Sequence, residues 1–217
     1  MIRVAPEGWP FIAIAWLVVA GLVVLRVGIP GANWPLIVLA AWLPVAIWVV
    51  AFFRDPVRDG ERGGHLAIAP ADGKVVDVRE VDEPTFIGGR ALRICIFMNV
   101  FDVHVNRYPL EGPVEYRHYN PGKFLHAADE KASLENEQSM VGLITPRGKV
   151  LVRQIAGLIA RRIVTDHPVG TDVRQGQRLG LIRFGSRVDL YLPTDAHAVV
   201  KVGDRTTAGM TVVARWN

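Results

Sequence analysis

The sequence predicts a mainly β globular domain, sandwich- or barrel-like, preceded by an α-helical hairpin embedded in a membrane. Three observations predict it. Two apolar segments, 10–25 and 35–53, crowd the first quarter of the 217-residue chain. From residue 54 onward, short apolar runs alternate with Gly, Pro, Asp and Asn at roughly ten-residue spacing, the pattern of many short strands. Only one stretch there, 126–134, reads as a short helix.

The hairpin comes first. No charged residue lies between Glu7 and Arg26, or between Arg26 and Arg54. A helix needs about 20 residues to cross a bilayer. Segment 35–53 is nearly long enough and 10–25 is marginal, so a hairpin dipping into one leaflet rivals one that spans. Val27-Gly28-Ile29-Pro30-Gly31-Ala32-Asn33 between them has turn composition. Pro10 and Pro35 suit first helical turns, and Pro44 is expected to kink the second helix. Arg3 precedes the hairpin, and Arg54, Arg58 and Arg62 follow it. Positive flanks favour the cytoplasmic side, so the chain is expected in the cell (inner) membrane with residues 54–217 in the cytoplasm. Trp9, Trp34 and Trp48 suit the interfaces. A cleaved signal peptide fits poorly, because a second apolar run follows the first and no small-x-small site separates them.

The globular part follows. Residues 1–53 hold only Arg3, Arg26 and Glu7 of the chain's 25 basic and 21 acidic side chains. The remainder is mildly basic, which suits an anionic lipid surface. No dense Lys/Arg run points to nucleic acid. Cys95 is the only cysteine, so a disulfide within the chain is excluded, and its apolar run reads as a buried core thiol. Strands are expected at 66–69, 74–79, 92–98, 103–107, 114–119, 150–155, 158–164, 179–184, 188–192, 198–202 and 211–215. Run 188–192 alternates as a half-buried strand does.

Four places can carry chemistry. Gly185-Ser186 sits between two strand-like runs. It is either a plain turn or a self-cleavage site, in which the Ser186 hydroxyl attacks the Gly185 carbonyl and residue 186 ends as a pyruvoyl group; a base must take the hydroxyl proton. Asp72, in Ala69-Pro70-Ala71-Asp72-Gly73-Lys74, is either a turn residue or a carboxylate held to orient a histidine or accept a proton. His104, in Phe101-Asp102-Val103-His104-Val105-Asn106-Arg107, is either a solvated strand residue, pointing away from the core with Asp102 and Asn106, or a general acid–base group. Lys123 and His126 lie in a long polar loop with Glu135 and Glu137, where the cations can meet a phosphate. The remaining histidines show no metal-ligand spacing, and no metal is expected. Gly185-Ser186 also lacks the Gly-x-Ser-x-Gly elbow of a serine hydrolase. A membrane-anchored carrier module of biotinyl or lipoyl type is the non-enzyme rival, although it has no role for Asp72 and His104.

Together and in order, Phe53-Arg54-Asp55-Pro56, Ala69-Pro70-Ala71-Asp72-Gly73, Phe101-Asp102-Val103-His104-Val105-Asn106-Arg107, Gly122-Lys123-Phe124, Glu135-Asn136-Glu137 and Phe184-Gly185-Ser186 resemble the phosphatidylserine decarboxylase family in its short bacterial and archaeal form. The likeness runs from about residue 54 to the C-terminus. It implies self-cleavage between Gly185 and Ser186 into chains 1–185 and 186–217, which stay together as a heterodimer. It also implies a pyruvoyl cofactor made from Ser186 with no metal, and conversion of phosphatidylserine to phosphatidylethanolamine and CO2 through a Schiff base. Asp72 matches the aspartate that supports self-cleavage, and His104 the histidine of the Asp-x-His stretch. Longer members carry a second histidine where this chain has Arg107, which joins Lys123 and His126 as an expected substrate ligand. They also have Thr after the serine, where this chain has Arg187. Which base activates Ser186, and whether the protein forms homo-oligomers, stay open at this point.

Overall fold

The computed structural model describes residues 3–29, 31–122, 136–157, 162–183 and 186–217. It divides into two compact units, residues 1–57 and 58–217.

In the first unit, a short 3-10 turn (Pro6–Gly8) leads into α1 (Trp9–Gly28), and α2 (Trp34–Phe52) returns. Pro10 and Pro35 occupy the first turns of the two helices, and α2 continues through Pro44. The base of the hairpin is tied by Ala5 N donating to the Phe53 carbonyl (2.8 Å) and Asp55 N to the Arg3 carbonyl (2.8 Å). Farther along, Trp42 Nε1 donates to the Ala15 carbonyl across the helix pair (3.0 Å). At 1.5 Å per residue each helix is about 30 Å long, the thickness of a bilayer's hydrocarbon core. Both are long and apolar enough to cross a membrane. Leu17, Val24 and Ile37 are each about 70 % exposed. Helices apolar on every side lose that exposure in lipid rather than in water.

The strands of the second unit are β1 (Leu66–Ile68), β2 (Gly73–Glu83), β3 (Gly89–Met98), β4 (Val105–Arg107), β5 (Gly112–Asn120), β6 (Gln138–Thr145) and β7 (Gly148–Ala156). There follow β8 (Ile163–Thr165), β9 (Asp172–Val173), β10 (Arg178–Ile182), β11 (Ser186–Leu192), β12 (His197–Ala198), β13 (Arg205–Thr206) and β14 (Val212–Arg215). Eight form one antiparallel sheet, in the order β13-β2-β3-β11-β7-β6-β5-β9, which curls into a half-barrel. Two three-stranded sheets, β4-β10-β8 and β1-β14-β12, complete the unit.

Strand β11 lies at the heart of the large sheet, with β3 on one side and β7 on the other. One of its faces, through Val188, Leu190 and Leu192, joins the main core with Ile94, Ile96, Val150, Val152 and Leu143. The opposite face carries Arg187, Asp189 and Tyr191. All seven residues of the strand are buried, which corrects the half-buried reading of 188–192. Alternation between apolar and polar residues here separates two interiors, not core from solvent. On the second interior, Arg187 clasps Asp189 with two hydrogen bonds (2.8 and 3.1 Å), and Phe86, Ala91, Leu151 and Tyr191 pack together. Cys95 is buried there, as expected, and burial pushes its thiol up.

Strand β6 arises where the sequence reading saw only the end of a polar loop. Its start, Gln138-Ser139, reads as polar, yet both side chains are buried. β2 extends to residue 83, beyond the expected 79, because cross-strand ion pairs such as Arg93–Asp77 (2.7 Å) and Arg90–Glu80 (2.8 Å) stabilise its charged half. The strand expected at 158–164 is described as Ile163–Thr165, with 158–161 outside the described residues. The helix expected at 126–134 also lies outside them.

Candidate active site

Ser186 is the first residue of β11 and is fully buried. It stands opposite Met98 of β3 and Ala156 of β7. Its hydroxyl points to the Met98 sulfur, Oγ to Sδ 3.4 Å. Phe184 and Gly185 lie outside the described residues.

Asn106 of β4 reaches the same sulfur, Nδ2 to Sδ 3.6 Å. His104 lies two residues earlier, just before β4. Both are fully buried, which overturns the outward, solvated placement read from alternation. Sheet β4-β10-β8 covers this side, so what looked like a solvent face is an internal one. Nδ1 of His104 lies 3.0 Å from the Asp102 carbonyl. A carbonyl only accepts, so Nδ1 carries the hydrogen and Nε2 is the basic nitrogen. The intervening turn is fixed by the Asp102 carboxylate, which accepts from Asn99 N (2.9 Å) and from Arg205 (3.1 Å).

Asp72 sits on the turn into β2. Gly73 after it has φ +157°, and a Cβ there would meet the Phe97 carbonyl oxygen at 2.2 Å, so only glycine lets the turn press against β3. One Asp72 oxygen accepts from Ala208 N (2.7 Å) and the other from Arg58 (2.7 Å). Burial raises the carboxyl above its ordinary range. The Ala208 amide and Arg58 oppose that, and the nearby Asp102 charge adds to it. The turn presents a desolvated carboxylate, and its observed partners are the Ala208 amide and Arg58. Arg107 joins this corner. Its amide donates to the Pro70 carbonyl (2.9 Å), its guanidinium to the Gly176 carbonyl (3.2 Å), and its chain packs against Gly209 beside Arg58.

The Gly122 and Asn136-Glu137 motifs also meet. A Cβ on Gly122, where φ is +29°, would lie 2.2 Å from the Asn136 carbonyl. Asn136 Nδ2 donates to the carbonyl of Ala156, the cross-strand neighbour of Ser186 (2.7 Å). Glu137 is buried and accepts from Tyr119 (2.8 Å) and from Ile163 N (3.2 Å). It thus acts as an internal tie for backbone and phenol. Burial, with the Glu137 carboxylate, raises the Tyr119 hydroxyl. Lys123, His126 and Glu135 lie outside the described residues.

Three polar residues linked to Asn106 escaped the sequence reading. Gln154 of β7 is fully buried, and its Nε2 donates to Asn106 Oδ1 (2.8 Å). Thr165 of β8 donates to Gln154 Oε1 (3.1 Å), and Ser139 of β6 lies 2.7 Å from the Thr165 hydroxyl. The available signal was a lone glutamine at an inward position of the run Val150-Leu151-Val152-Arg153-Gln154-Ile155.

The phosphatidylserine decarboxylase family model matches residues 45–214. Curated relatives named phosphatidylserine decarboxylase proenzyme align over almost the whole chain. One from Symbiobacterium thermophilum is 50 % identical over 98 % of this chain and 95 % of its own. One from Aromatoleum aromaticum is 47 % identical (97 % and 94 %), and one from Burkholderia cenocepacia 45 % identical (97 % and 95 %).

Proposed function

The chain belongs to the phosphatidylserine decarboxylase family, and from that premise we propose that it converts phosphatidylserine to phosphatidylethanolamine and CO2, using a pyruvoyl group made from its own Ser186. The observation that carries the proposal is the setting of Ser186: a buried hydroxyl at the head of the central strand, with its Oγ on the Met98 sulfur that Asn106 also reaches.

Maturation needs a base and an enclosed hydroxyl. The Ser186 hydroxyl gives its proton to His104 Nε2 and attacks the Gly185 carbonyl carbon. A C–O bond forms, the Gly185–Ser186 C–N bond breaks, and the freed amine takes a proton. Loss of the Cα proton, with Gly185 leaving as a carboxylate, makes residue 186 unsaturated. Water then replaces its nitrogen, released as ammonia, and a ketone remains. Asp72, through its closeness to Asp102, sets the charge around the His104 loop.

The surroundings of residue 186 suit such a group. The Met98 thioether tolerates a methyl in place of a hydroxyl, and the site is closed to solvent. The pyruvoyl group supplies a carbonyl for the substrate amine and an electron sink for the pair left when the carboxylate departs. His104 returns a proton to the substrate carbon. Lys123 and His126 supply cations for the headgroup phosphate, and Arg107 holds the Arg58–Asp72 corner next to them in role. The hairpin, with Arg54 and Arg62 following it in the sequence, holds the protein to the cytoplasmic face of the cell membrane, with chains 1–185 and 186–217 remaining associated.

Ser186→Ala tests the core of this reading. Intact mass under denaturing conditions is expected to show one full-length chain for the variant and two chains for the natural protein, with no CO2 released by the variant. Normal turnover by uncut Ser186→Ala protein sinks the proposal.

A further inference from the structure

The side chains next to Ser186 form a single hydrogen-bonded line that crosses the core between two sheets. It starts at Ser139 on β6 and passes to Thr165 on β8, Gln154 on β7 and Asn106 on β4. It ends on the Met98 sulfur, which also holds the Ser186 hydroxyl. Four of these polar groups, Ser139, Gln154, Asn106 and Ser186, are at most 3 % exposed. The outer end opens at a cavity of about 350 Å³ lined by Ser139, Arg117, His118, Tyr119, Pro168 and Val169.

Direction is the informative property of the line. An amide can present either its oxygen or its nitrogen to a neighbour, and only the network decides. The Thr165 hydroxyl donates to Gln154 Oε1, so Gln154 must turn Nε2 toward Asn106. Gln154 Nε2 then claims Asn106 Oδ1, so Asn106 must turn Nδ2 toward the Met98 sulfur. With the Thr165 hydrogen committed to Gln154, the hydrogen between Ser139 and Thr165 comes from Ser139. Every hydrogen in the line points toward the Met98 sulfur, where the Ser186 hydroxyl also ends, and aligned bonds of this kind polarise one another. The thioether is a weak acceptor and takes no proton, so it holds the Ser186 hydroxyl without activating it. Any base must act from elsewhere.

We propose that the Ser139–Thr165–Gln154–Asn106 line is a positioning device that keeps an N–H donor of Asn106 on the Met98 sulfur that also receives the Ser186 hydroxyl, so that the amide dipole offsets the negative charge that develops at residue 186 when the Ser186 proton leaves. The inference rests on the self-cleavage reading above. Asn106 and Gln154 are positioning residues for that step. The reversed amide would present Asn106 Oδ1, an acceptor, and would oppose the same charge.

The test follows chain scission, not decarboxylation. Full-length protein is made by cell-free translation and chased, and the 1–185 and 186–217 chains are quantified by denaturing gel and intact mass between pH 5.5 and 8.5. Gln154→Glu keeps the shape but, when ionised, only accepts, so Asn106 turns its nitrogen to the carboxylate. Scission is expected to slow at least about 10-fold at high pH, a modest share of what a lost charge-stabilising donor costs. It should recover as the pH falls and the acid regains a hydrogen to donate. A merely structural lesion would not recover in that direction. Thr165→Val, which removes the hydroxyl that sets the polarity at a half-buried position, is expected to slow scission several-fold without loss of folding by circular dichroism. If Gln154→Glu does not fold, Thr165→Val alone decides. Natural-rate scission in a folded Gln154→Glu or Thr165→Val protein overturns the proposal while leaving the function reading intact. A natural protein that stays one chain overturns both.

Discussion

Glu83 shows how a single residue can reverse the sense of burial. Its side chain is 1 % exposed, and burial alone would raise its carboxyl. The Phe86 and Ile87 amides (2.8 and 2.9 Å), with Thr85, outweigh that and hold the carboxyl below its ordinary value of 4.5. Arg153 adds a longer ion pair at 3.4 Å. A depressed value in the fold means stability that is present above the unfolded value and lost as pH falls through the folded one. Glu83→Gln is therefore expected to cost about 1–3 kcal/mol near pH 7, the penalty for weakening buried charge-assisted bonds. The gap from the natural protein should close below pH 4.5, as seen in urea titrations. A gap that stays constant with pH would show that the charge contributes nothing. None of this was legible beforehand, because Glu83 reads as one more acid in the charged run Arg79-Glu80-Val81-Asp82-Glu83. Asp72 was legible because Pro and Gly bracket it. His104 and Asn106 were legible as residues but not as buried ones, since period-two alternation names a face without saying what covers it.

At the scale of elements, the hairpin was the clearest sequence signal, and α1 and α2 fall close to the expected segments. Its apolar surface has a direct consequence. Leu17 and Val45 are exposed positions near the middles of the two helices. Lysine at each costs about 2.5–3.5 kcal/mol in a bilayer interior and little in water. The double variant Leu17→Lys, Val45→Lys is expected to float poorly with anionic vesicles that carry the natural protein, and undiminished flotation would place the hairpin outside the lipid. Most strands were legible from Gly and Pro punctuation and short apolar runs. β6 was missed because polar Gln138 and Ser139 open it, and β9 and β13 because two residues carry no periodicity. Polar strand residues facing a polar interior give the same pattern as a loop.

For the whole molecule, the placement of β11 matters beyond catalysis. Residues 186–217 do not form a separate piece. β11 lies between β3 and β7, β13 edges β2, and β12 and β14 build a sheet with β1. A cut before Ser186 would leave all these pairings in place while removing the tether that brings β11 to them. Folding is then a one-chain problem before scission and a two-chain encounter after it, and the loop-closure entropy of a tether is far easier to meet than dilution. The uncut Ser186→Ala protein is expected to refold from urea at any concentration, whereas the cut protein should recover poorly and only as concentration rises; equal recovery would refute this. With the proposed cut made, the precursor would hold the assembly instructions and the cut form only their result, so each molecule would be a once-folded object whose lifetime is set by how slowly its shape is lost.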